Sequence, residues 1–213
     1  MKFTTTLLAL AVASSAAIAP NAFAQSADLS ITGKILPSAC VVELGNGGVA
    51  ELGDIRSNAL ETDTSTTLDP VDLAMSVSCD SAVRFALGGV DNTGDSAYSA
   101  FRYGLGFTAN EEKIGSASIG LKGVNIDGAT GFATTSYDSG ETWSDSVATS
   151  PTAIPKDGMM GFASQQGVTT GPSAVESLQG TLEVKAYIAP TSGMTLTGDV
   201  PINGSATINI MYL

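Results

Sequence analysis

The chain of 213 residues contains no histidine, one tryptophan, two cysteines and nine basic side chains. Without histidine there is no Ser-His-Asp or Cys-His machinery, and the usual general base near neutral pH is missing. Two cysteines fall short of the four nitrogen or sulfur ligands of a structural zinc site. Nine Lys and Arg face 21 Asp and Glu, a formal net charge of -12. Clustered cations for phosphate neutralisation are therefore lacking, which argues against nucleic acid and anionic lipid as partners. Aromatics are only 6% of the chain, yet hydrophobic residues are 43%, which is not the composition of a disordered protein. The expectation is a non-enzymatic globular protein with no catalytic residue, metal or cofactor.

What is present begins with MKFTTTLLALAVASSAAIAPNAFAQS, in which Lys2 is the only charge. Leu7 to Ile18 is a short apolar stretch broken by Ser14-Ser15, too short for about 30 Å of hydrocarbon. Ala22-Phe23-Ala24 fits a small-x-small cleavage pattern, so a signal peptide is expected over 1–24, cut between Ala24 and Gln25. Removing 24 of 213 residues leaves 189 and takes away one cation and no acid. No later run approaches 18 apolar residues, so no membrane span is expected. Export places Cys40 and Cys79 in an oxidising compartment, where this even pair is expected to form a disulfide.

The remainder reads as strands. Leu29, Ile31, Gly33 and Ile35 alternate with polar residues, as do Leu73, Met75 and Val77; Val83, Phe85 and Leu87; Leu182, Val184, Ala186 and Ile188; and Ala206, Ile208, Ile210 and Tyr212. Period two marks strands buried on one face. Asn46-Gly47-Gly48, Asp127-Gly128, Ser139-Gly140 and Asn203-Gly204 punctuate them as turns, the last as a hairpin. The pattern predicts an all-β antiparallel sandwich or barrel in one domain. Residues 139–178 are rich in Gly, Ser, Thr and Pro and are compatible with long loops, a small hairpin or a short helix.

Two ends carry a more specific pattern. ADLSITGKILPSAC places Gly33 seven residues before Cys40, and GDVPINGSATINIMYL ends with a tyrosine second to last. With the cysteine separation and Gly198, this resembles the subunits of chaperone–usher fimbriae. TGKILPSAC, GNGGVAELGDI, LAMSVSCD and the GVDN turn resemble, more narrowly, an uncharacterised group of fimbrial-like secreted proteins of Gram-negative bacteria. The resemblance implies an immunoglobulin-like sandwich of pilin type that lacks its last strand. It implies a donor-strand extension over 25–39 and a sandwich domain over 40–213. Leu29, Ile31 and Ile35 would enter a neighbouring subunit's groove, with Gly33 at a shallow point. Ile208, Ile210 and Tyr212 would form the C-terminal strand that a periplasmic chaperone contacts. The implied partners are that chaperone, an outer-membrane usher and other fimbrial subunits in a head-to-tail polymer at the cell surface. The chain departs from the pattern in being longer than the usual pilin. In the rival reading, residues 27–36 are simply the first strand of a self-contained secreted or periplasmic binding module for a glycan or protein.

Four other signals stand in the chain. Asp91, Asn92 and Asp95, and also Asp138, Glu141 and Asp145, form oxygen-rich loops without the EF-hand pattern, and read as solvated turns rather than calcium sites. No pair of carboxylates stands out for glycoside chemistry. Trp143 beside Tyr137 reads as loop packing before sugar stacking. Asn203-Gly204-Ser205 matches a glycosylation acceptor but reads as a turn.

Overall fold

The computed structural model describes residues 39–213. The expected signal peptide, the Ala24–Gln25 cut and the segment carrying Leu29, Ile31, Gly33 and Ile35 lie outside the described residues. Thirteen strands follow: β1 (Cys40–Leu44), β2 (Thr66–Thr67), β3 (Val71–Val83), β4 (Phe85–Asp91), β5 (Tyr103–Gly104), β6 (Gly115–Ile126), β7 (Ala129–Thr130), β8 (Phe132–Ser136), β9 (Val147–Ala148), β10 (Thr152–Ala153), β11 (Met159–Ala163), β12 (Val175–Ile188) and β13 (Ala206–Tyr212). They form two antiparallel sheets, so the protein is an all-β sandwich. The first sheet runs β1-β3-β12-β6-β10, with β2 on β12 and β5 and β7 on β6. The second runs β13-β4-β11-β8-β9.

Alternation explains the first sheet. In β3, Leu73, Met75 and Val77 are buried while Asp72, Ala74 and Ser78 are exposed. Leu178, Leu182, Ala186 and Ile188 of β12 are buried in turn. Between the sheets these side chains meet Phe85, Leu87, Met160 and Phe162 in one apolar core. A second cluster, built on Leu105, Ile114, Ala117, Ala186 and Ile188, continues it. The Asp127-Gly128 turn behaves as its residues require: both adopt positive φ, 48° and 81°, and close a tight hairpin between Ile126 and Ala129.

Two expectations are corrected. Val83, Phe85 and Leu87 do not share one strand. The chain changes sheets at Arg84, with β3 on one side and β4 on the other, and the Arg84 guanidinium is held by the carbonyls of Pro172 and Thr170 at 2.9 and 3.1 Å. Nor is Asn203-Gly204 a hairpin turn. It is a lead-in to β13, tied by the Asn203 N–H to the Leu105 carbonyl and by the Asn92 N–H to the Ser205 carbonyl. No strand precedes it after β12.

The unpatterned middle has a structural task. Residues Phe85–Gly89 and Met160–Ala163 are buried without alternation, so the middle strands β4 and β11 of the second sheet are covered on both faces. Their outer cover is drawn from residues 137–146 and 164–174, on either side of β9, β10 and β11. Pro172 sits against Gly161, where a Cβ would meet its ring, and Trp143 sits against Gly171. The Thr134 hydroxyl donates to the Ser144 carbonyl at 2.6 Å, and the Ser146 hydroxyl to the Gln165 carbonyl at 2.7 Å. The unpatterned residues on either side of β9, β10 and β11 thus form a strap over one sheet.

Candidate functional site: a slot between two sheet edges

β1 begins one sheet and β13 begins the other, and both are edge strands among the described residues. They lie on the same side of the sandwich, because the Cys40 backbone N–H donates to the Tyr212 hydroxyl at 2.9 Å. The backbone of each edge can be worked out from the ladder. The Asn92–Ser205 and Leu213–Arg84 hydrogen bonds fall in step with the β4–β13 register, so the bonded pairs are those of Thr207, Asn209 and Met211. Bonded and non-bonded pairs alternate in an antiparallel ladder. Ala206, Ile208, Ile210 and Tyr212 therefore aim their N–H and C=O groups away from β4, along the free edge.

The same argument applies to β1. The Asp80–Ala39 bond lies in step with the β1–β3 register. Cys40, Val42 and Leu44 accordingly point their backbone groups outward. Cys40 and Cys79 occupy a non-bonded pair and are joined by the expected disulfide, with Cα atoms 4.0 Å apart. That bond pins the edge strand to its neighbour at the end where the slot closes.

The side chains between the edges are apolar. Val42 and Leu44 from β1, and Ile208 and Ile210 from β13, are half-buried and pack on the main core. Beyond β1, Leu52 and Ile55 rest half-buried on the second cluster, as do Val200 and Ile202 ahead of β13. At the other end stands Tyr212, 42% exposed. Two rows of outward backbone donors and acceptors thus flank an incompletely covered apolar seam. Such an edge accepts another strand: backbone bonds supply affinity and alternate side chains supply selectivity.

The structure brings together the expected C-terminal residues Ile208, Ile210 and Tyr212 with Cys40. The partner edge, Val42 and Leu44, was not singled out from the sequence. The alternating CVVEL would have revealed it, since Val42 and Leu44 share Cys40's face.

Asp91, Asp138 and Trp143, also singled out from the sequence, have structural partners. Asp91 accepts hydrogen bonds from the Thr93 N–H and hydroxyl and from the Gly104 N–H, with Lys156 at 3.6 Å. Burial alone would push this carboxyl up, but the hydrogen bonds and the ammonium outweigh it and hold it below its ordinary value. Asp138 accepts from the Thr142 N–H and hydroxyl and from the Ser136 hydroxyl, and closes its own turn. Trp143 donates to the Gly140 carbonyl at 3.0 Å and packs on Gly171, whereas Tyr137 packs on Gly158. The Trp143 ring is used in packing the strap, while Tyr137 stands 71% exposed beside Gly158.

Comparison with known proteins agrees with an uncharacterised relationship. The chain is 28% identical over 237 aligned positions to the "Uncharacterized protein YhcF" of Escherichia coli (strain K12), covering 92% of this chain and 97% of that protein. Residues 29–102, which include β1, β3 and β4, match the family model described as "Protein of unknown function (DUF1120)".

Proposed function

We propose that this is an exported, non-enzymatic fimbrial subunit-like protein that assembles head-to-tail by donor-strand exchange and contributes to surface adhesion or biofilm. The observation that carries the reading is the slot: β1 and β13, edge strands among the described residues, with outward backbone groups and the apolar Val42, Leu44, Ile208 and Ile210 between them. The segment Ala27–Ile35, alternating through Leu29, Ile31, Gly33 and Ile35, has the period to fill it from another copy. Donor and acceptor are different surfaces, so the contact does not close on itself and a filament grows. In the periplasm a chaperone strand occupies the same slot, contacting Ile208, Ile210 and Tyr212, and an outer-membrane usher exchanges it for the next subunit.

The test is deletion of residues 27–35 in a strain that expresses a fimbrial chaperone and usher, followed by electrophoresis in SDS with and without heating. SDS-resistant, heat-labile multimers from the full chain, absent from the deletion, are expected. Multimers that survive the deletion overturn the reading. A full chain that stays monomeric favours the self-contained binding module instead.

A further inference from the structure

The slot is not symmetric end to end, and this constrains what enters it. At one end the Tyr212 side chain crosses from β13 to β1 and takes the outward N–H of Cys40. That N–H would otherwise be the first donor available to an added strand on β1. The disulfide to Cys79 holds Cys40 in place behind it. At the opposite end no side chain bridges Leu44 to Ala206 among the described residues, and Leu52, Ile55, Val200 and Ile202 lie half-buried on the second apolar cluster.

We propose, resting on the donor-strand reading above, that Tyr212 is the stop of the slot and sets the register of the incoming strand. The occupant is residues 27–35 of a second copy. Its C-terminal end is tied to that copy's own β1 through residues 36–39. A slot stopped at Tyr212 leaves room for the second copy only at the far end. The strand therefore lies with Leu29 nearest Tyr212 and runs antiparallel to β13. Alternate side chains then fall in one register: Leu29 beside Ile210, Ile31 beside Ile208, Gly33 beside Ala206, and Ile35 at the level of Gly204. Lengths agree with this. Tyr212 to Ala206 spans about 20 Å at ~3.3 Å per residue, and the nine-residue donor about 30 Å, so its C-terminal end overhangs toward Ile202 and the exit.

The test uses the full chain assembled with chaperone and usher, carrying a diazirine aliphatic side chain at position 29 and read by mass spectrometry after illumination. With Tyr212 in place, crosslinks to residues 209–211 and to β1 near Val42 of another copy are expected. Tyr212→Ala removes the stop, and the crosslinks shift by two residues toward Leu213, because a strand slips in steps of two. Tyr212→Leu, which keeps apolar bulk but cannot reach Cys40, covers the case in which the alanine variant does not fold, and shifts the same way. Intermolecular crosslinks that do not move in the alanine or leucine variant overturn the stop while leaving donor-strand exchange standing, as do crosslinks to residues 204–206. No intermolecular crosslink at all overturns both.

Discussion

The ring of Tyr103 lies in the space that a Cβ on Gly89 would need, and its hydroxyl donates to the Ile154 carbonyl at 3.0 Å. This joins β5, β4 and the approach to β11 in one buried contact. Gly89→Ala has no flexible neighbour to displace cheaply, since the Tyr103 ring is itself buried. The substitution should destabilise the fold by about 3 kcal/mol, the upper range for overpacking. Urea unfolding of the purified chain checks it, and an unchanged midpoint would refute the contact.

Tyr103 should also mark the alkaline limit of stability. Burial, then the nearby Asp91 and Asp157, pushes its phenol up to about 12 from an ordinary 10.0. The folded protein thus holds a proton that the unfolded chain releases first. The associated stability is fully present below pH 10 and is lost as pH rises through about 12. Tyr103→Phe should flatten the urea midpoint over this range, relative to the parent chain.

Cys40 and Cys79 close a loop with a sequence separation of 39. On the chain-entropy model the unfolded state loses freedom worth about 4 kcal/mol at this loop size. Reducing the bond, or replacing either cysteine with serine, should lower stability by up to that amount and release β1 from β3. Equal unfolding midpoints with and without reductant would show the bond to be energetically idle.

In acid the turn at Asp138 should respond. The Thr142 hydroxyl, then the Thr142 N–H and the Ser136 hydroxyl, hold its carboxyl down to about 2 from an ordinary 3.8. A depressed folded pKa contributes stability that is present above the unfolded value and lost as pH falls from 3.8 toward 2. Amide exchange at Gly140 and Thr142, both hydrogen-bonded within this turn, should accelerate over that window. Asp138→Asn should make exchange there insensitive to pH over the same window, after correction for the intrinsic rate.

Arg84 holds the strap at the point where the chain changes sheets. Arg84→Ala removes both bonds to the carbonyls of Thr170 and Pro172. A loss of about 1–2 kcal/mol is expected, together with new protease cleavage between Gln165 and Ala174. A cleavage pattern identical to the parent's would show that Pro172 packing alone retains the strap.

Local pattern was enough for much of the fold. The alternation in β3, in β12 and in β13 follows from side chains pointing to opposite faces, which any half-buried strand must obey. The disulfide followed from two cysteines in a chain expected to be exported, and the turn at Asp127-Gly128 from residues that accept positive φ. Periodicity failed where its premise failed. Residues in β4 and β11 are buried on both faces, so small and large apolar residues succeed one another without a polar partner. The strap over them, residues 137–146 and 164–174, reads as loop because hydrogen bonds from Thr134 and Ser146, rather than strand pairing, hold it down.

At the slot the division is sharper. The amino-acid sequence by itself determined that Ile208, Ile210 and Tyr212 share one face of a final strand, because that is a property of two-residue periodicity. Only the tertiary structure decided that β13 stands at a sheet edge among the described residues, on the side of Val42 and Leu44, and that Tyr212 bridges to Cys40 across 172 positions of sequence. Edge status depends on which strands pair. Pairing is settled by packing the whole chain, since the backbone groups that form a ladder are the same in every residue except proline.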